Sequence, residues 1–92
     1  METFRAVVSG IVQGVGYRWF AVARAGELNI AGHAKNLPTG QVEVLAAADD
    51  RAALETFLEA LREGPGLSNV TLIEVEWNIA GEVPPGEFII KY

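Results

Sequence analysis

The spacing of the apolar residues switches between two and about 3.6 along the chain, and the order of those switches restricts the fold more than any other feature. Phe4, Ala6 and Val8 alternate with Arg5, Val7 and Ser9, the pattern of a strand with one face in a core, and Gly10 is expected to break it. Phe20, Ala21, Arg24, Ala25 and Leu28 follow at helical spacing among strong helix formers, which predicts a helix over 17–28. Two short apolar stretches, Ala31 to Asn36 and Val42 to Ala48, flank Leu37-Pro38-Thr39-Gly40-Gln41 and read as a hairpin of strands. Leu54, Phe57, Leu58 and Leu61 mark a second helix. Asp49 or Asp50 stands where a carboxylate can accept its first free N–H groups, and Gly64-Pro65-Gly66 prevents continuation. Arg51, Glu55, Glu59 and Arg62 take its other face, with Arg51 and Glu55 four apart. Val70 to Ile79 alternates Thr71, Ile73, Val75, Trp77 and Ile79 against Glu74, Glu76 and Asn78, a half-exposed strand. Residues 81–86 read as a loop, and Phe88 to Tyr92 can add an edge strand.

The resulting order, β-α-β-β-α-β, is that of the ferredoxin-like α+β sandwich: an antiparallel sheet with two helices on one face and, here, a short C-terminal edge strand. At 92 residues the chain has room for one domain, expected over 1–92, and with no cysteine that domain must be held by its apolar core. The fold hosts many functions and names none.

Twelve acidic against seven basic residues give a formal charge of −5, and the basic residues form no run, which disfavours a polyanion partner. No apolar stretch is long enough to span a membrane, and the start has neither the basic nor the apolar region of a signal peptide. A cytoplasmic monomer with neither nucleic-acid nor membrane partner is therefore expected. One histidine, no cysteine and scattered carboxylates offer no metal-ligand cluster, so neither a metal nor another cofactor is expected. Ser9, Ser68 and the threonines have only His33 as a possible base, and nothing in the spacing couples them.

Gly10-Ile11-Val12-Gln13-Gly14-Val15-Gly16-Tyr17-Arg18 joins the first strand to the first helix. Such a loop can turn successive backbone N–H groups into one concavity at the positive end of a helix, where the Arg18 fork can bind two oxygens of an anion. The same glycines equally permit a tight turn with Arg18 solvated, and the loop alone leaves both readings open. It is not a dinucleotide fingerprint, because Trp19 stands where the third glycine is needed, and no Gly-Lys-Ser/Thr marks a P-loop.

Gly10-x-Val12-Gln13-Gly14-Val15-Gly16-Tyr17-Arg18 and the later Gly32-x-x-Lys35-Asn36-Leu37-Pro38-x-Gly40-x-Val42-Glu43 resemble the two signatures of the acylphosphatase family. Leu28-x-Ile30-x-Gly32, Gly64-Pro65 and Phe88-x-Ile90-x-Tyr92 extend the resemblance along the chain. It implies a small metal-free enzyme that hydrolyses acyl phosphates to a carboxylate and inorganic phosphate. By position, the backbone of Gln13, Gly14, Val15, Gly16, Tyr17 and Arg18 would cradle the phosphoryl group, Arg18 would clamp its oxygens, and Asn36 would place the attacking water. His33 and Ala34 depart from the family pattern, which has an aromatic residue and valine there; this bears on the side wall of the site. Lys35, as an alternating neighbour on a strand, should point away from Asn36. Trp19, Phe20 and Trp77 are expected as core or surface aromatics rather than acyl-group contacts.

A binding module is the competing reading, since a ferredoxin-like sheet can stack RNA bases on central-strand aromatics. The first strand carries only Phe4, and Val42 to Ala48 has neither aromatic nor basic residues, so the platform is missing. A relative that lost activity and senses phosphate is a third reading, against which the retained Arg18 and Asn36 stand.

Overall fold

The computed structural model describes residues 1–79 and 86–92. In chain order it has β1 (Glu2–Ile11), α1 (Tyr17–Glu27), β2 (Ala31–Asn36), β3 (Val42–Ala48), α2 (Arg51–Glu63), β4 (Asn69–Trp77) and β5 (Phe88–Lys91). The sheet order is β4-β1-β3-β2-β5. Its first four strands pair antiparallel, as the sequence predicts. β5 instead runs parallel to β2, with Gly32 opposite Phe88 and Lys35 opposite Lys91, so the sheet is mixed. Of the loop expected over 81–86, only Gly86 lies within the described residues.

Alternation along β1 puts Phe4, Ala6 and Val8 into a core shared with Val42, Val44 and Ala46 of β3 and with Leu54, Phe57, Leu58 and Leu61 of α2. Phe57 is fully buried, with its ring centroid 6.2 Å from Phe4 and 5.5 Å from Phe88, and so ties α2 to a central strand and to an edge strand. Truncating a phenylalanine so placed costs about 3–5 kcal/mol through lost burial and the cavity left behind. Asp50 rather than Asp49 caps α2, its Oδ1 accepting from the Ala52 N–H at 2.9 Å. The expected Arg51–Glu55 pair forms at 3.5 Å, and the Arg51 guanidinium also lies 3.8 Å from the centre of the Trp77 ring.

Several boundaries differ from the sequence reading, among them a last strand, β5, that ends at Lys91 rather than Tyr92. β1 does not stop at Gly10 but runs on to Ile11, because a bulge between Ser9 and Gly10 lets the pairing with β4 continue. Only glycine fits there: its φ is +122°, and a Cβ would collide with the Asn69 carbonyl. The bulge also shifts β4 by one residue, since Ser9 faces Leu72 while Gly10 faces Val70. Val70 therefore packs on the core in the place expected of Thr71, which is exposed. β4 ends at Trp77, before Asn78 and Ile79, because Asn78 adopts a left-handed φ of 54°. Helix α1 ends one residue early, with Leu28 as its C-cap.

The sheet face away from the helices carries an ion-pair cluster. Arg5 Nη2 lies 2.8 Å from Glu43 Oε2, and His33 Nε2 lies 3.5 Å from Glu43 Oε1. Burial alone would raise the Glu43 pKa, but hydrogen bonds to Arg5 and His33, with their charges, outweigh it and hold the carboxyl below its ordinary value. A folded-state pKa lowered in this way stabilises the fold above the unfolded carboxylate range, and that stability is lost as pH falls through the lowered value. Urea unfolding should therefore show Glu43→Gln less stable than wild type at pH 7 by about 1 kcal/mol, with the gap closing as the solution is acidified below about pH 4.

Candidate active site

The glycine loop, residues 10–16, is held at both ends by side chains in the core. Val12 is buried before it bends outward, and Val15 packs partly against the core. Tyr17, at the start of α1, is buried and donates its hydroxyl proton to the Leu61 carbonyl at 2.7 Å. That carbonyl would ordinarily accept from the residue four further on, which is Pro65 and has no N–H. The phenol thus satisfies a carbonyl that the helix-ending proline orphans, and burial pushes its pKa well above the ordinary tyrosine value. Tyr17 can therefore offer only its main chain to a ligand.

Between these anchors Gly14 and Gly16 adopt φ of +75° and +79°, with open space where a Cβ would point. Gly16 is the N-cap of α1, and no side chain caps the helix. No acidic residue lies in its first turn, so that turn sets no negative charge against an anion at this positive helix end. Gln13 turns its side chain away from the loop, and its Nε2 donates to the Leu37 and Gln41 carbonyls at 2.9 Å each. Those carbonyls belong to the β2–β3 turn, so the loop is tied to the segment that follows Asn36.

Asn36 ends β2. It lies two residues beyond buried Ala34 and pairs with buried Val42, which puts it on the helix-covered side of the sheet. Its Oδ1 is buried and has no hydrogen-bond partner among the described residues. An acceptor left so costs about 1–3 kcal/mol, an expense that a protein tolerates where the group has another use. Lys35 pairs with Glu43 on the opposite face, as alternation predicts, and His33 is on that face too.

Arg18 makes no ion pair among the described residues; its guanidinium carbon lies 5.1 Å from the centre of the Tyr92 ring. The β2–β5 register, carried one step past Lys35 and Lys91, sets Tyr92 beside Asn36. Arg18, the loop and Asn36 therefore meet at one end of the sheet. The contact of Tyr92 with Arg18 was not readable from the chain, because it depends on β5 pairing parallel to β2. Of the aromatics, Trp19 is 66% exposed, while Trp77 packs edge-on against Phe4 at 5.4 Å.

Among the described residues no group of three or more His, Asp and Glu side chains is placed to hold a metal ion. No helix is long and apolar enough to cross a membrane, again among the described residues. Replacing Tyr17 with phenylalanine should lower the unfolding free energy by about 1–2 kcal/mol, because the Leu61 carbonyl loses its donor inside the core; urea titration checks it.

The family model for acylphosphatase matches residues 4–88. An acylphosphatase of Thermus thermophilus is 53% identical over 77 residues, covering 84% of this chain and 86% of that one. Among solved structures, the acylphosphatase of Bacillus subtilis superposes with a TM-score of 0.92 at 38% identity, covering all of both chains. That of Coxiella burnetii gives 0.87 at 32% identity, covering 98% of this chain and 93% of that one.

Proposed function

Since the chain belongs to the acylphosphatase family and is a hydrolase of acyl phosphates, we propose that Arg18, Asn36 and the backbone of residues 13–18 carry that hydrolysis without a metal. The observation that carries this reading is the placement, at one end of the sheet, of an uncapped helix start bearing Arg18 and of an Asn36 acceptor with no donor among the described residues.

The phosphoryl group sits on the N–H groups of Gln13, Gly14, Val15, Gly16, Tyr17 and Arg18. The Arg18 fork holds two of its equatorial oxygens, where charge is carried in the transition state. A water donates one hydrogen to Asn36 Oδ1 and turns a lone pair toward phosphorus, in line with the bond to the acyl oxygen. Its oxygen bonds to phosphorus as the phosphorus–acyl oxygen bond breaks; the electron pair of that bond leaves with the carboxylate. The water's proton passes to a phosphate oxygen, giving inorganic phosphate. A carboxylate is a good leaving group, so neither a strong base nor a general acid is needed. The net charge of −5 does not oppose this binding, because the Debye length is about 8 Å at physiological salt and distant carboxylates are screened.

The two side chains should fail in different ways. Arg18→Ala loses charge-assisted contacts worth about 1.5–3 kcal/mol each, so affinity for inorganic phosphate as competitive inhibitor should fall at least about tenfold and turnover should collapse. Asn36→Ala should bind phosphate nearly as well as wild type while kcat falls about a hundredfold or more. If a folded Asn36→Ala keeps more than about a tenth of wild-type kcat, the water is placed by another group.

Activity should be level between about pH 6 and 8.5, since the mechanism uses no general acid or base from the protein. It should also survive chelator. A pH dependence of the rate within that range that disappears in His33→Gln would overturn this. So would a loss in EDTA that Mg²⁺ restores.

A further inference from the structure

We propose that Gln41 is a positioning residue for the hydrolysis, fixing the β2–β3 turn, and Asn36 with it, against the loop that holds phosphate. The proposal rests on the water-placing role given to Asn36 above. Gln41 occupies a position between Gly40 and Val42 that neither signature specifies, yet it is the hub of the hydrogen bonds around the site. Its carbonyl accepts from the Leu37 N–H at 2.8 Å and from Gln13 Nε2 at 2.9 Å. Its Nε2 donates to Ser9 Oγ at 2.9 Å, and its Oε1 accepts from the Thr39 hydroxyl at 2.8 Å.

These bonds connect three segments. Ser9 stands at the bulge where β1 becomes the loop, Gln13 lies within the loop, and Leu37 follows Asn36 directly in the chain. The Ser9 contact is the next rung of the β1–β3 register, after Val7 with Glu43 and Val8 with Val42. Beyond it the chain has only an exposed turn containing Gly40 at φ +92°, which by itself is a soft connection. The Gln41 side chain removes that softness by bonding the turn to β1.

The expected consequence falls on kcat rather than on phosphate affinity. Phosphate is bound by loop N–H groups and Arg18, whereas the Gln41 side chain bonds Ser9 and Thr39, and its backbone carbonyl, which holds Gln13, stays in place when the side chain is removed. In-line attack, however, needs the water on Asn36 placed within a fraction of an ångström of the phosphoryl group, and small misplacements are costly.

The test uses Gln41→Ala and Ser9→Ala, each alone, together, and in an Asn36→Ala background. Benzoyl phosphate hydrolysis gives kcat, inhibition by inorganic phosphate gives Ki, and circular dichroism with thermal melting establishes that each variant is folded. Each single variant should lower kcat at least about threefold and leave Ki within about twofold. The pair should be no worse than either alone, because both remove the same bond. On top of Asn36→Ala, Gln41→Ala should cost nothing more, whereas a merely structural role would cost the same in both backgrounds. A smaller loss of kcat, a Ki that rises in step with it, or a full loss persisting without Asn36 overturns the proposal. Should Asn36→Ala itself retain kcat, it is the water-placing role that fails first. A large loss in Asn36→Ala with none in Gln41→Ala rejects the positioning role alone.

Discussion

The hydrogen bond from Tyr17 to the Leu61 carbonyl is the fixture on which the site depends. It exists because Pro65 ends α2 without supplying the N–H that Leu61 would otherwise receive. A buried carbonyl needs a donor, and the one available is the first residue of the other helix. The start of α1 is thereby fastened to the end of α2, and Arg18, the next residue, leaves the core from a fixed point. The glycines before it can take left-handed conformations without loosening the loop, since Val12 and Tyr17 hold its ends.

The sheet divides its labour by face. Side chains that alternate toward the helices build the core, and at the end of β2 the same alternation puts Asn36 on the helix-covered face. Side chains on the other face, Arg5, Glu43 and His33, form an ion-pair cluster that serves stability. A one-residue slip of β2 would exchange Asn36 for Lys35, so the register that buries Ala34 also selects the amide for the site. In the proposed mechanism, neutral donors, one guanidinium and one amide are sufficient, because the leaving group of the reaction is already good. That explains how the proposed chemistry proceeds with the titratable His33 on the far side of the sheet.

The glycine loop singles out Arg18, and the family resemblance adds Asn36 and gives both their roles, but nothing local says that they are neighbours. Their meeting follows from two long-range facts: Gln13 reaches across to the β2–β3 turn, and β5 pairs with β2 so that Tyr92 lies under Arg18. Ser9 and Gln41 are not legible as a pair in the sequence, because two polar residues 32 apart carry no signal until strand register brings them opposite.

By itself the sequence determined what depends on neighbours along the chain. The apolar stripe of α2 with an aspartate cap at Asp49 or Asp50, the bounds of β2 and β3, and the outward direction of Lys35 all follow from periodicity and local hydrogen bonding. Tertiary structure decided what depends on pairing partners. The bulge at Ser9 and Gly10 gave Val70 the core position expected of Thr71, and β5 joined the sheet parallel at the far edge from β4. It also set Tyr17 against Leu61 and left Asn36 Oδ1 buried without a partner among the described residues. The physical reason is range: a side-chain period is fixed within a few residues, whereas register is settled only when strands distant in sequence compete to satisfy the same backbone groups.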